Sequence, residues 1–460
     1  MTVSIDDAYI KEGFRSKRSS MYERVLNKLM ALTKVWSKEK ISMSVETEEQ
    51  FAHLIDNCRI PVDDAYKQIK GRGCSEDNMV KSGNHAVLKI LGDRLRSRSQ
   101  PGKRGDKFKL GLVIEGGGMR GCVSAGMAAA IEHLGMQEAF DAIYGSSAGS
   151  LIGTYFVAGG GVQETHRFFL ELLPKSGKTF IDTRRVIDML RHSRKKELVP
   201  VLSLDRICRF MMEDDGAAAL NWTSFAARNR HQPLNIVASS VERGRAVAMS
   251  SRKGYFEDLP SLLECLRASC YLPGIAGCSP VPVERWQGEE RLERDRMVDA
   301  VVFEPIPYRS AVEDGCTHLL VLRTWPDEIP LPQSFLKIFE RLLAPTCLSS
   351  FPRILDFLFE DRHSRVYGED ILRLNEAGKG SPFRGVHMLP LAVSKSEPVS
   401  QMELDHDQLL KGVVLGFAQA YNVLKVVAGE GKEEEDGLEV GARIFDALEQ
   451  SAAIRESYTQ

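Results

Sequence analysis

Two glycine-rich segments carry residue types that together suit acyl transfer. The first, GGGMRG, spans residues 116–121, and the second, GSSAG, spans residues 145–149. A Gly-x-Ser-x-Gly run between a strand and a helix is typical of a nucleophile elbow, a strained turn that presents a serine and leaves no room for bulk beside it. A glycine loop that leads into a helix can offer unpaired backbone N–H groups to an oxyanion. Together they predict a serine hydrolase or acyltransferase.

The flanking sequence predicts the elements that position both motifs. Residues 110–114 and 140–144 are short apolar runs rich in strand-forming residues, and each is followed by one of the motifs, the first after Glu115 and the second directly. Small and apolar residues at 121–134 and 150–158 predict the helices that come next. Each motif therefore lies at a strand-to-helix turn, where open α/β sheets bind their ligands.

The glycine loop also satisfies the dinucleotide-binding pattern G-x-G-x-x-G, through Gly116, Gly118 and Gly121. That function requires an acidic residue at the end of the next strand, about twenty residues further on. Glu138 has nearly that spacing but precedes the predicted strand. The sequence context therefore favours the oxyanion loop over the nucleotide site.

A serine hydroxyl needs a base to accept its proton. Seven histidines follow Ser147, and none lies in a distinctive turn: His166, His192, His231, His318, His363, His387 and His406. His363 is the hardest of them to dismiss. Asp299 ends a short apolar stretch, where partial burial would raise its pKa toward that of a useful base. The alternative is an ordinary turn aspartate that binds its own backbone.

Four blocks in this order resemble a patatin-like phospholipase domain, most closely the bacterial-type patatin-like proteins. They are GGGMRG at 116–121, GSSAG at 145–149, ASCYLP at 268–273 and Asp299-Ala300. The resemblance extends from about Lys107 to about Val427. It departs from the family at one position, because Ala300 stands where the family has glycine. If that glycine requires a positive φ, Ala300 would strain the turn and displace Asp299.

The resemblance implies a lipid acyl hydrolase that cleaves fatty-acyl esters with a Ser147–Asp299 dyad, without a metal or other cofactor. It implies that backbone N–H groups of Gly117, Gly118 and Met119 bind the oxyanion, while Arg120 orients the loop. The full predicted site consists of Ser147 and Asp299 as the dyad, Gly116, Gly117, Gly118, Met119, Arg120 and Gly121 as the oxyanion loop, and Gly145 and Gly149 beside the nucleophile. A lipid transacylase and a catalytically lapsed lipid-binding member of the family are the alternatives.

Composition describes an ordinary globular protein, with 43% hydrophobic and 27% charged residues. A net charge of -2 gives no general attraction to nucleic acid or to an anionic membrane. We expect a lipid ester substrate, no transmembrane segment and only peripheral membrane contact. The nine cysteines are scattered, and Cys122, Cys270 and Cys278 in or beside the blocks are interpreted as packing residues. This pattern predicts a reduced, intracellular and cytoplasmic location.

The whole chain predicts a three-layer α/β/α fold with a mainly parallel sheet and an N-terminal helical extension. We divide it into a helical extension (1–95), a basic linker (96–107), the catalytic domain (108–430) and an acidic, helical tail (431–460). An amphipathic helix is expected at 22–36, a helix start near 47–55 and a short helix at 85–95. Large apolar residues between 335 and 359 predict either packing helices, which we favour, or an interfacial lid.

Overall fold

A computed structural model of the chain describes residue 80 and residues 83–185, 200–212, 218–288, 290–326, 347–359, 362–393, 399–429 and 435–459. The helices predicted at 22–36 and 47–55, and the apolar residues at 335–343, lie outside these described residues. The fold and the site below are built from the described ranges.

One eight-stranded sheet organises the fold. The strands are β1 (Leu110–Ile114), β2 (Ala142–Ser146), β3 (Leu234–Ser240), β4 (Arg245–Met249), β5 (Val281–Gln287), β6 (Glu290–Val298), β7 (His318–Leu322) and β8 (His387–Leu391). Their order is β5-β6-β3-β2-β1-β7-β8, and β4 pairs with β3. The five strands β3, β2, β1, β7 and β8 are parallel, whereas β4, β5 and β6 are antiparallel to their neighbours.

Helices cover the two faces of the sheet. They are α1 (Ala86–Ser97), α2 (Gly121–His133), α3 (Ala148–Ala158), α4 (Gly161–Thr165), α5 (Leu173–Ser176), α6 (Leu204–Met212), α7 (Trp222–Asn229), α8 (Leu259–Ser269), α9 (Tyr308–Glu313), α10 (Pro352–Phe359), α11 (Arg362–Gly378), α12 (His406–Leu424) and α13 (Gly437–Thr459). A π-helical segment, His166–Leu172, follows α4. Short 3-10 turns occur at Gly118–Arg120, Gln137–Ala139, Gly177–Thr179, Ser251–Lys253, Ala300–Val302 and Lys425–Val427.

Side chains that alternate between the two faces of each buried strand form two separate cores, one on each side of the sheet. Leu112 of β1 belongs to the large core that includes α1, α2, α3 and α12, whereas its neighbour Val113 belongs to the core formed with α9 and α11. Successive side chains of a strand point to opposite faces, so a strand covered on both sides is apolar throughout. All five residues of β1 are buried. The predicted three-layer fold with a mainly parallel sheet is therefore confirmed.

Two of the predicted domain boundaries cut through packed structure. Helix α1 crosses the boundary at 95, and its Leu88 and Leu91 are fully buried in the main core. Helix α13 lies in the predicted tail, yet its Phe445 is buried and packs edge-on against Phe417 of α12. Both helices are thus part of the domain core, because each has an apolar face that this domain covers.

The segment between α1 and β1 is tied to the core by ion pairs. Arg94 is buried and binds Asp106 at 2.8 Å and Asp141 at 2.7 Å, and Arg104 binds Asp141 at 2.6 Å. The predicted basic linker is therefore a fixed connection, although many of its side chains are exposed.

The structure corrects one interpretation of the cysteines. Cys278 forms a disulfide with Cys347, 69 residues away in the sequence, and is not an isolated packing residue. The spacing of the cysteines in the sequence does not predict this pair, because the two cysteines are brought together by the tertiary fold. Helix α10 lies just beyond Cys347, and its Ile354 and Phe357 are buried, so this half of the predicted helix pair packs as core.

One described helix is long and apolar enough to cross a membrane by length and composition, at His406–Val427. Half of its apolar stretch is buried inside the protein. It packs closely against α2, where Gly126 and Gly416 let the two backbones approach. This close packing is that of a core helix.

Candidate active site

Ser147 occupies a strained turn between β2 and α3. Its backbone has φ 49° and ψ -125°, an unusual conformation for a residue with a side chain. The turn needs glycine on both sides. A Cβ on Gly145 would lie 2.5 Å from the Gly149 carbonyl oxygen, and one on Gly149 would lie 2.3 Å from the carbonyl oxygen of Ile114. The residue types at 145–149 therefore fit the geometry of a nucleophile elbow.

The side chains of Ser147 and Asp299 meet although 152 residues separate them. The Ser147 hydroxyl donates to Oδ2 of Asp299 at 2.9 Å. The other carboxylate oxygen, Oδ1, accepts the backbone N–H of Val301 at 2.8 Å, and the Asp299 N–H donates to the carbonyl of Tyr271 at 2.8 Å. One oxygen of the carboxylate is thus anchored and the other is directed at the serine.

Burial sets the electrostatics of this carboxylate. Asp299 is only 6% exposed, and desolvation raises its pKa to about 6, against the opposing hydrogen bonds from Val301 and Ser147. A carboxylate with a raised pKa is a stronger base than an exposed one, yet it is mostly ionised at neutral pH. Asp299 therefore has the position and the basicity to accept the serine proton.

The glycine loop lies directly against the elbow. A Cβ on Gly116 would come within 2.9 Å of the Ser147 Cβ. The Gly116 N–H donates to Ser146 Oγ at 3.0 Å, and the Met119 N–H donates to the Gln401 carbonyl at 2.9 Å. Neither group is free to bind an oxyanion.

The N–H groups of Gly117 and Gly118 differ from those of their neighbours. The N–H of Gly121 is bonded to the carbonyl oxygens of Gly118 and Met119. Within the described ranges, the amides of Gly117 and Gly118 have no acceptor. Gly117 and Gly118 therefore stay candidate donors of the predicted oxyanion loop, whereas the N–H of Met119 is bound to Gln401.

A family model matches the part of the chain that carries the site. The patatin-like phospholipase family model matches residues 112–312, which contain the elbow, the glycine loop and Asp299. Over these residues the chain is similar to patatin-like phospholipases. The resemblance that the sequence indicates is confirmed, and the family implies a hydrolase that acts on lipid esters.

Two further comparisons add little. A search of curated proteins finds no match. Among solved structures, the crystal structure of VipD from Legionella pneumophila is similar, with 12% sequence identity and a TM-score of 0.35. The similarity covers 70% of this chain and 67% of that one.

Ser269 holds the elbow of the patatin-like domain in place. Its hydroxyl accepts the backbone N–H of Ser147 at 2.8 Å and donates to the Val237 carbonyl of β3 at 2.5 Å. Ser269 belongs to the third sequence block, whose pattern alone gives it no role. Its position as the second residue of that block was the available signal.

Behind the glycine loop lies a buried polar network that no sequence pattern predicts. Glu115 is 2% exposed, and its carboxylate accepts the Thr324 N–H and the Tyr367 hydroxyl, both at 2.7 Å. Thr324 Oγ1 also donates to the Gly116 carbonyl at 2.8 Å. The end of β1 is thereby fixed to the segment after β7 and to α11, which holds the loop against the elbow.

Arg120 lies in this network and not at the serine. Its guanidinium stacks on Trp325, 3.3 Å from the ring centroid, and it is fully buried. Burial lowers the pKa of Arg120 to about 10, against the charge of Glu115. This position behind Gly117 is compatible with the predicted role of orienting the loop.

The conformation of Ala300 removes the reason to expect a lapsed site. Ala300 begins the 3-10 turn at Ala300–Val302, and it is not among the described residues with positive φ. Alanine therefore fits without strain, and the Asp299 side chain caps the same turn through Val301.

The alternative assignments find no support in the described ranges. His363 is buried and contacts Ser364 Oγ at 3.0 Å, not Ser147. Strand β2 ends at Ser146 without the acidic residue that a dinucleotide site requires. No group of three or more potential metal ligands occurs among the residues the structure describes.

Proposed function

We propose that this protein hydrolyses fatty-acyl esters of lipids through an acyl-enzyme on Ser147, with Asp299 as the general base. The observation that carries the proposal is the 2.9 Å hydrogen bond from the Ser147 hydroxyl to Asp299 Oδ2. Because Oδ1 is already bound by Val301, the carboxylate keeps one oxygen directed at the nucleophile.

In the first half-reaction, Asp299 takes the proton of the Ser147 hydroxyl while Oγ attacks the acyl carbonyl carbon. The N–H groups of Gly117 and Gly118 stabilise the resulting oxyanion. The intermediate then collapses, the bond to the leaving alcohol breaks, and Asp299 returns the proton to the alkoxide oxygen. The products of this half-reaction are the acyl-enzyme and a free alcohol.

In the second half-reaction, Asp299 accepts a proton from water, whose oxygen attacks the acyl carbonyl. The bond to Ser147 Oγ breaks, Oγ regains the proton from Asp299, and the fatty acid leaves. The same carboxylate therefore serves both steps, and its raised pKa suits both proton acceptance and proton return.

The test is labelling with a fluorophosphonate probe, which reacts with activated serines. Wild type should be labelled, Ser147→Ala should not, and Asp299→Asn should react at least about 100-fold more slowly because it lacks the base. Two exposed positions provide matched controls, Ser451→Ala on α13 and Asp407→Asn on α12, and both should label like wild type.

Two results would contradict the proposal. Labelling of Ser147→Ala at another serine would overturn the nucleophile assignment. Labelling of Asp299→Asn at the wild-type rate would show that Asp299 is not the base. Turnover of lipid esters by the labelled wild type, with equal amounts of acid and alcohol released, distinguishes hydrolysis from transfer to an acceptor alcohol.

A further inference from the structure

The segment that follows β6 contacts the nucleophile elbow at both of its ends. At its start, the Asp299 carboxylate accepts the Ser147 hydroxyl at 2.9 Å. At its end, the Pro305 carbonyl accepts the Ser146 hydroxyl at 2.5 Å and the Gly116 N–H at 3.4 Å. The segment 299–305 therefore connects the base to the residue before the nucleophile and to the glycine loop, so its conformation affects all three parts of the site.

Glu304 fixes the conformation of the 299–305 segment. Its backbone N–H donates to the Ala300 carbonyl at 2.8 Å, which closes the turn after Asp299. Its side chain is 3% exposed and binds Ser310 of α9 twice: Oε1 accepts the backbone N–H at 2.8 Å, and Oε2 accepts the hydroxyl at 2.6 Å. One residue thus holds the turn and attaches it to a helix.

Helix α9 is itself held in place. The Tyr308 hydroxyl donates to Asp370 of α11 at 2.6 Å, and the guanidinium of Arg309 binds the same carboxylate oxygen. Tyr308 and Asp370 are both fully buried. Because a helix that is fixed in a close-packed interior moves little, the two bonds from Ser310 give Glu304 a defined position.

The attachment of Glu304 to Ser310 does not require a charge. Burial raises the pKa of Glu304 to about 7, against the two hydrogen bonds from Ser310. When Oε2 is protonated, it donates to the Ser310 hydroxyl oxygen, while Oε1 still accepts the backbone N–H. A glutamine at this position makes the same two bonds with its amide, whereas an alanine makes neither. These two substitutions therefore separate the hydrogen bonds from the charge.

We propose that Glu304 is a positioning residue that keeps Asp299 and Pro305 aligned with the nucleophile elbow. The inference rests on the proposed function, because the geometry that Glu304 holds is that of the Ser147–Asp299 dyad. A displacement of about 1 Å in reacting groups costs roughly 100-fold in rate. Since the Glu304 side chain is buried against α9, its loss should lower kcat and leave KM nearly unchanged.

The test is steady-state hydrolysis of p-nitrophenyl butyrate by Glu304→Ala and Glu304→Gln, with circular dichroism to establish that both variants fold. Glu304→Ala should lower kcat about 100-fold and keep KM within about twofold. Glu304→Gln should keep kcat within about threefold of wild type, because its amide restores both bonds. An equal loss in the two variants would contradict the proposal, since it would make the charge and not the hydrogen bonds responsible.

Glu313→Ala is the matched control, because Glu313 lies on the same helix as Ser310 but is exposed. Its kcat should stay within about twofold of wild type. If Glu304→Ala does not fold, Ser310→Ala takes its place, since it removes one of the two bonds and should lower kcat about threefold to tenfold. Wild-type kcat in a folded Glu304→Ala, or in Ser310→Ala where that variant replaces it, would overturn the proposal.

The pH profile provides a second readout. The kcat/KM of Glu304→Gln should titrate with the same midpoint as wild type, near the Asp299 pKa of about 6. A midpoint that moves by about one pH unit would show that Glu304 acts on the reaction through its charge, and the positioning role would be wrong.

Hydrogen exchange measures the same positioning without catalysis. The Gly116 N–H has the Ser146 hydroxyl at 3.0 Å and the Pro305 carbonyl at 3.4 Å as acceptors, and neither acceptor belongs to Ser147. In the Ser147→Ala background, Glu304→Ala should therefore speed exchange of this amide at least about tenfold, whereas Glu304→Gln should leave it unchanged.

The outcomes separate the two proposals. If fluorophosphonate labels Ser147 but Glu304→Ala hydrolyses the ester like wild type, Glu304 is not a positioning residue and the dyad stands. If Glu304→Ala leaves the exchange of the Gly116 N–H unchanged, the inference is wrong as well. If this exchange accelerates but wild type is not labelled, the proposed function is wrong, and Glu304 only holds the fold.

Discussion

Acidification should inactivate the enzyme with a midpoint set by one buried carboxylate. Burial raises the pKa of Asp299 to about 6, whereas an exposed aspartate titrates near 3.8. With the higher value, about 90% of the molecules carry an ionised Asp299 at pH 7 and about 10% at pH 5. Because only the ionised form accepts the Ser147 proton, kcat/KM should fall about tenfold between these pH values.

The assay is the pH profile of kcat/KM between pH 4.5 and 8, with a short, soluble ester that does not itself titrate there. Circular dichroism across the same range serves as the control for unfolding. A profile that stays flat down to pH 5 would refute the reasoning, since it would require a base with the pKa of an exposed aspartate. If kcat/KM falls at the same pH as the circular dichroism signal, the loss of activity is due to unfolding.

Three further outcomes are expected. The folded-state pKa of Asp299, about 6, lies above the unfolded value of 3.8, so the stability that this group contributes below pH 3.8 is lost as the pH rises through about 6. Asp299→Asn should therefore raise the free energy of unfolding by about 1–3 kcal/mol at pH 7 and change it little at pH 4. Urea titrations at the two pH values would measure this difference. Gly118→Ala should lower kcat by about 10²–10³-fold, because its Cβ would lie 2.6 Å from the Gln401 carbonyl oxygen and displace the loop. Gly105→Ala is the control and should leave kcat unchanged, because no atom lies within 4 Å of its Cβ. Ala300→Gly should keep kcat/KM within about twofold and lose about 0.5–1 kcal/mol of stability, since a glycine there only adds freedom to the unfolded chain.

Local patterns around the motifs were sufficient to predict the elements that carry them. Strand β1 occupies the predicted 110–114, and α2 begins at the predicted Gly121. Strand β2 differs, because it runs over Ala142–Ser146 and not over 140–144. Its Gly145 and Ser146 pair with Ile236 and Val237 of β3, and this ladder extends the strand through residues with weak strand propensity.

The parts of the site that the sequence did not predict come from elements far away along the chain. Thr324, Tyr367 and Gln401 each contact the glycine loop or Glu115, yet none belongs to a recognisable pattern. Their roles depend on which backbone groups meet in space, as when the Gln401 carbonyl takes the N–H of Met119. The Cys278–Cys347 disulfide was missed for the same reason.

The 3-10 turn after Asp299 bears on how such a site is recognised in other chains. Its first residue has an ordinary backbone conformation and a fully buried methyl group, so the position selects for small size and not for the freedom of glycine. A search pattern that insists on glycine after the aspartate would discard this sequence although its Ser147 and Asp299 are in hydrogen-bonding contact. Patterns that admit alanine there should recover further chains with an assembled dyad.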